Sequence, residues 1–234
     1  MGMSALRTWV LSVCMILAWL GVARPAAAAN IRGTVVMTGA ITPKKLPVTI
    51  DQYVCGKEKV AEDMVVNPQG GGVKNAVVWL QTAPTGAAWP NAPVKVDMDQ
   101  KGCVFIPHVV LVPSGGTVEF LNSDRLLHNL HSVSRDNPTF NRTQPKGRNI
   151  PVTFSKPEFI QVNCDLHSWM RGWVVVADHP FYALSNDAGE FILANVPPGK
   201  YVLQIWQEAV GITSRDVSVG PEDARVTIEL KAPR

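Results

Sequence analysis

From residue 30 onward, apolar residues come in short runs or alternate with polar ones, and almost no stretch repeats at the three-to-four-residue spacing of an amphipathic helix. Residues 31–36 and 74–80 concentrate Val, Ile, Trp and Leu between turn-forming residues, which predicts short strands. Residues 104–112 and 117–122 predict two more, joined by Pro113, Ser114, Gly115 and Gly116. Strands are also expected at 151–154, 159–162 and 173–176, with a tight loop from Cys164 to Met170 joining the last two. Residues 135–151 are polar and rich in Asn, Pro and Gly, and predict a long surface loop. Further on, strands at 191–193, 201–206 and 225–230 alternate with turns such as Asn186-Asp187-Ala188-Gly189 and Pro197-Pro198-Gly199. In 201–206 the set Val202, Gln204, Trp206 and the set Tyr201, Leu203, Ile205 are both largely apolar, which places this strand inside a sheet. The prediction is an all-β protein, with residues 84–93 as a connector.

The first 29 residues are patterned differently. Arg7 precedes an apolar run at 9–22, followed by Ala26-Ala27-Ala28-Ala29, the signature of a secretory signal peptide with small-residue cleavage sites. The run is short and no basic stop follows it, so a retained membrane anchor is the weaker reading, and no later run is long enough to span a bilayer. A periplasmic or secreted location is expected. Cleavage after Ala29 takes the formal charge from +3 to +1. That near-neutral balance, without a basic stripe, excludes nucleic acid as an expected partner.

Removing the leader also removes Cys14 and leaves Cys55, Cys103 and Cys164 in a compartment where disulfides persist. One thiol is left over. Cys164 lies three residues before His167 and six before Met170, and His128 lies 36 residues upstream of it. Two imidazoles, a thiolate and a weakly bound thioether form the ligand set of mononuclear electron-transfer copper. If Cys164 binds metal, Cys55 and Cys103 become natural disulfide partners. Zinc suits the set less well, because a thioether contributes little to it. His131 lies three residues past His128, so in an extended segment it points to the opposite face and is not expected to bind; His108 and His179 are expected to be structural.

Residues 101–178 resemble the cupredoxins, in particular the amicyanin group. The resemblance rests on His128-Asn129-Leu130-His131, on the Cys-x-x-His-x-x-Met-Arg-Gly pattern from Cys164 to Gly172, and on Val174-Val175-Val176. It implies a Greek-key β-sandwich holding one type 1 copper ion on His128, Cys164, His167 and Met170, with single-electron transfer as the activity. It further implies that Asn129 ties the two ligand loops together toward residue 165. His167 would reach the surface as the electron's exit point, inside an apolar contact patch drawn from Leu126, Leu127, Trp169 and Met170. Leu166 and Ser168 stand where amicyanins carry prolines, so a less rigid loop is expected.

The flanking segments resemble the carboxypeptidase regulatory-like, transthyretin-type sandwich. The matching residues are Gly33-Thr34-Val35, Ala76-Val77-Val78, Asp187-Ala188-Gly189-Glu190-Phe191 and Pro197-Pro198-Gly199-Lys200-Tyr201. The expected organisation is therefore a signal peptide at 1–29, a discontinuous sandwich from 30–93 and 179–234, and a cupredoxin domain at 94–178.

Three functions compete. The first is a copper electron carrier serving transient redox partner proteins, without catalysis: this region lacks the second thiolate of a binuclear centre and the His-x-His pairs of oxygen-reducing copper enzymes. The second is a module whose outer sandwich binds carbohydrate or a cell-envelope component through Trp79, Trp89 and Trp206, with the copper secondary. Copper storage or delivery comes third, because His- and Met-rich runs are missing.

Overall fold

The computed structural model describes residues 28–89 and 94–232; the expected leader, with Arg7, Cys14 and the run 9–22, and the expected junction at residue 93 lie outside the described residues. The elements are β1 (Ala29–Thr38), β2 (Lys45–Pro47), the single helical turn α1 (Gln52–Cys55), β3 (Glu58–Val60), β4 (Val77–Leu80), β5 (Lys95–Gln100), β6 (Phe105–Ile106), β7 (Val109–Pro113), β8 (Gly116–Asn122) and β9 (His128–Val133). They continue with β10 (Asn141–Gln144), β11 (Ile150–Phe154), β12 (Glu158–Asn163), β13 (Arg171–Ala177), β14 (Tyr182–Leu184), β15 (Glu190–Val196), β16 (Gly199–Gln207), β17 (Gly211–Val219) and β18 (Ala224–Lys231). The fold is all-β. No helix among the described residues is long and apolar enough to cross a membrane.

Two sheets come from the middle of the chain, in the orders β10-β9-β12-β13-β7 and β11-β8-β5-β6. Their alternation is strict where one face is buried: in β8, Gly116, Val118, Phe120 and Asn122 point inward, and in β11 Ile150, Val152 and Phe154 do. These side chains meet Leu130, Ile160, Val162, Val174 and Val176 from the other sheet in one core that also contains Cys164 and Met170.

The two ends of the chain share the other large sheets, ordered β15-β1-β18 and β14-β4-β16-β17. As expected from its two apolar faces, β16 is an interior strand, between β4 and β17. Its outward residues are not wasted on solvent. Trp206 packs with Val77, Val109 and Val175 in a seam between the outer and middle sheets, flanked by Trp79, Phe159 and Trp173. Ring centroids of Trp206 lie 5.0 Å from Phe159 and 5.0 Å from Trp173, contacts worth about 0.5–1.5 kcal/mol each beyond area burial. Trp79 stacks on Tyr182, so neither it nor Trp206 supplies an open aromatic platform for carbohydrate. The Asp187-Ala188-Gly189 turn requires its glycine: Gly189 has φ +78°, and a Cβ there would lie 2.3 Å from the Val35 carbonyl.

Four features differ from the sequence reading. The apolar run 104–112 is two strands, β6 and β7, because Pro107 has no N–H to donate to a ladder. The expected surface loop 135–151 contains β10, paired with β9 so that Asn141 faces His131 and Gln144 faces His128. It is an edge strand with three exposed polar residues, so it leaves no hydrophobic periodicity. The same holds for β17, at the edge beside β16. Finally, although residues 44–61 lie in the expected outer sandwich, Val48 and Cys55 are buried in the middle core. Ala29, at the end of the expected cleavage run, heads β1 opposite Val196 and is buried.

Candidate metal centre

His128 is the first residue of β9, Cys164 follows β12, and Met170 precedes β13. Strands β9, β12 and β13 are adjacent in one sheet, so the two ligand segments emerge side by side at the same end. The connecting loop is closed on itself. The Cys164 N–H donates to the Met170 carbonyl at 3.2 Å, His167 N–H to the Cys164 carbonyl at 3.2 Å, and Met170 N–H to the His167 carbonyl at 2.8 Å. The loop needs no prolines to be tied at both ends.

Three donor atoms converge. His128 Nδ1 and His167 Nδ1 are 3.0 Å apart, and the Cys164 sulfur is 3.7 Å from the first and 3.4 Å from the second. His128 and His167 are 0% exposed, Cys164 and Met170 1%. The thioether of Met170 belongs to the same buried cluster as Cys164. His131 faces away from this group: its Nδ1 pairs with Asp165 at 2.9 Å on the partly exposed side of β9.

What faces the far nitrogens settles the chemistry of the near ones. His128 Nε2 lies 2.9 Å from an Asp124 carboxylate oxygen, and His167 Nε2 lies 3.1 Å from one of Asp51. A carboxylate oxygen accepts from the ring N–H that faces it, so with Nε2 as the donor in each ring Nδ1 is left to turn a lone pair inward. Two lone pairs 3.0 Å apart beside a sulfur repel unless a cation lies between them. Metal–nitrogen bonds of about 2.0–2.1 Å and metal–sulfur bonds of about 2.3 Å can be drawn from one point to donors at these separations. The side chains of His128, Cys164 and His167 therefore fit a single ion with N, N and S ligands.

Burial shifts both titrating groups. It pushes the His128 pKa down, opposed by the hydrogen bond to Asp124, so the neutral, ligating ring is favoured. It pushes the Cys164 thiol up, opposed by the backbone N–H groups of Asn129, His167 and Leu166, the first of them 3.5 Å from the sulfur. A buried thiol with a raised pKa holds its proton until a metal displaces it.

Asn129 spans the two ligand segments as expected: its side chain accepts from the Asp165 N–H at 2.6 Å and donates to the Asp165 carboxylate at 3.1 Å. Asn141, from the unforeseen β10, adds a 2.6 Å hydrogen bond to the same carboxylate. Cys55 and Cys103 are disulfide-bonded, leaving Cys164 as the free cysteine among the described residues. Cys103 also lies near Asp124 and His128, but its sulfur is in the disulfide and Asp124 already accepts the N–H groups of Gly102 and Cys103, so these three form no second metal site.

One expectation is corrected. His167 does not reach the surface: its ring is enclosed, with Asp51 on its outer nitrogen. Of the expected contact patch only Leu127 is well exposed, with Leu166 beside His167 also exposed. Met170 is buried, and Trp169 packs inward, its ring centroid 5.2 Å from that of His167 and its Nε1–H donating to the Cys103 carbonyl at 3.1 Å. The sequence reading missed Asp124 and Asp51. Asp124, four residues before His128, was findable as a nearby carboxylate; Asp51, 116 residues from His167, carried no signal.

No family model matches the chain, and no curated protein matches it. Among solved structures, it is similar to a copper-containing nitrite reductase from Thermus scotoductus, with 27% identity and a TM-score of 0.33 over 42% of this chain and 25% of that one. It is also similar to a purple cupredoxin from Nitrosopumilus maritimus, with 21% identity and a TM-score of 0.32, over 35% of this chain and 99% of that one. A variant amicyanin in its reduced Cu(I) form gives 24% identity and a TM-score of 0.33, over 43% of this chain and 98% of that one. The neighbours are thus cupredoxins or contain copper, and each likeness spans less than half of this chain.

Proposed function

We propose that the protein is a blue copper electron carrier of the periplasm or cell exterior, binding one copper ion through His128 Nδ1, Cys164 Sγ, His167 Nδ1 and the Met170 thioether. The observation that carries the reading is the convergence of two lone-pair nitrogens and a sulfur at 3.0–3.7 Å in a site closed to solvent. Copper would supply a one-electron couple, to which a thiolate, two imidazoles and a weak axial thioether are suited in both oxidation states. The chain supplies rigidity: the ligand loop is closed by its own backbone hydrogen bonds, and the Asn129–Asp165 pair holds it to β9. Full burial of the ligands leaves no approach for a substrate, which supports a carrier rather than an enzyme.

The same reading treats residues 94–178 as a copper-binding unit inserted into a sandwich built from 30–93 and 179–234, supported by the sharing of sheets between the two ends of the chain. Its partners are redox proteins met transiently. Titrating the metal-free protein with Cu(II) tests the reading. A strong visible thiolate-to-copper absorption at one equivalent, lost in Cys164→Ser, is the expected result; a colourless one-to-one copper complex would overturn it.

A further inference from the structure

Strands β2 and β3 pair with each other in a two-stranded sheet of their own, and residues 48–59, mostly the connection between them, reach the candidate metal centre through Asp51. Val48 and Cys55 are buried in the middle core, and the Lys59 ammonium donates to the Gly102 carbonyl at 2.6 Å. At the apex is Asp51, whose backbone has φ 51°, a left-handed conformation that costs a non-glycine residue energy. Asp51 stands at the N-cap of α1, and its carbonyl accepts the N–H groups of Val54 and Cys55 at 3.0 and 2.9 Å. Its side chain makes no capping bond, although a carboxylate in that position ordinarily accepts from the first turn. It is directed instead at His167 Nε2, 3.1 Å away.

The disulfide links this contact to its counterpart across the site. Cys55 ends the helical turn that Asp51 begins, and it is bonded to Cys103. The N–H of Cys103, with that of Gly102, holds the Asp124 carboxylate that in turn holds His128. The Cys103 carbonyl accepts from the Trp169 indole, whose ring packs on His167. A single covalent link therefore joins the supports of both imidazoles.

We infer that residues 48–59 form a disulfide-clamped cap over the metal centre and that Asp51 is a positioning residue for His167, fixing its tautomer and raising its basicity as a ligand. A carboxylate behind a metal-bound imidazole strengthens its hold on the more highly charged ion, so Asp51 favours Cu(II) over Cu(I). The cap also denies a redox partner direct contact with the His167 ring. The positioning role rests on the copper reading above; the cap does not, because Val48 and Cys55 share one buried cluster with Cys164 whether or not metal is bound.

Two measurements test it. In the metal-free protein, the alkylation rate of Cys164 by iodoacetamide is compared between wild type and Cys55→Ser/Cys103→Ser, with circular dichroism confirming that the sheets persist. A rise of at least about tenfold is expected once the clamp is gone, and an unchanged rate in the folded variant overturns the cap. In the copper-loaded protein, Asp51→Asn keeps the shape and tolerates the left-handed backbone. About a tenfold loss of Cu(II) relative to Cu(I) affinity raises the one-electron reduction potential by about 59 mV. A potential equal to wild type overturns the positioning role while leaving the copper reading intact. Failure to bind copper at all overturns both the copper reading and that role, and leaves the alkylation result to decide the cap. Should the double serine variant not fold, Cys55→Ala/Cys103→Ala, which cuts the same link without burying a hydroxyl, decides the cap: faster reaction supports it and wild-type protection overturns it.

Discussion

The two histidines of the candidate metal centre are held in the same way from very different places. His128 is backed by Asp124, four residues before it, through a carboxylate that is 7% exposed and also accepts two backbone N–H groups. His167 is backed by Asp51, 116 residues away, through a carboxylate that is 34% exposed and makes no helix-capping bond. On the first side the support is part of the core, and the fold depends on it. On the second the carboxylate is carried by a segment held through its disulfide and the buried Val48 and Cys55, so the carboxylate itself serves His167 and adds little to the fold. The difference separates what stabilises this protein from what tunes its site.

The largest effect should come from cutting the pin. Cys55→Ser/Cys103→Ser opens a loop of 48 residues in the denatured chain and should cost about 4 kcal/mol of stability in the chain-entropy description, read as a lowered urea midpoint. Asp124→Ala comes next: each buried N–H left unsatisfied at Gly102 or Cys103 costs about 1–3 kcal/mol, whereas Asp51→Asn should leave the midpoint within about 0.5 kcal/mol. Equal losses from the two changes would erase the contrast drawn above. On the metal the two sides should instead converge, with Asp124→Asn and Asp51→Asn each weakening Cu(II) binding about 10–100-fold in a chelator competition.

Acidity sharpens the comparison from the thiolate between the two rings. Burial raises the Cys164 pKa, so the metal-free thiol is protonated at neutral pH and binding must release that proton. Apparent Cu(II) affinity should therefore rise about tenfold per pH unit until pH passes the folded thiol's pKa, and fall correspondingly as pH drops. Affinity independent of pH would mean that the thiol is already ionised. The smallest effect is expected at His131, whose pairing with Asp165 is half exposed: His131→Ala should change stability by less than about 1 kcal/mol and leave the copper absorption in place.

The candidate ligand residues stood out because each belongs to a short motif whose spacing reflects local geometry. Cys164, His167 and Met170 fall in one tight loop between adjacent strands, and His128 begins the neighbouring strand. The odd cysteine count made Cys55 and Cys103 candidate partners, but only the fold brings them within bonding distance. Strands with one buried face, such as 117–122 and 151–154, showed themselves by alternation. The edge strand at Asn141–Gln144 did not, since its outward residues answer only to solvent and its pairing is made by backbone groups that every residue carries. Both faces of 201–206 were visibly apolar, but nothing local said that Trp206 packs against Phe159 and Trp173 in a seam.

What could be read from the chain alone was the β class and a candidate set of donor residues, because these follow from side-chain chemistry and from spacings of a few residues, while the Cys55–Cys103 pairing, 48 residues apart, needed the fold. Only the folded chain shows that His167 is enclosed rather than presented, that Asp51 stands behind it, and that Val48 and Cys55 are buried in the middle core. A contact between residues 116 apart leaves no periodicity and no local motif. It exists because packing the two sheets and closing one disulfide carry an otherwise ordinary aspartate to within hydrogen-bonding reach of a ligand.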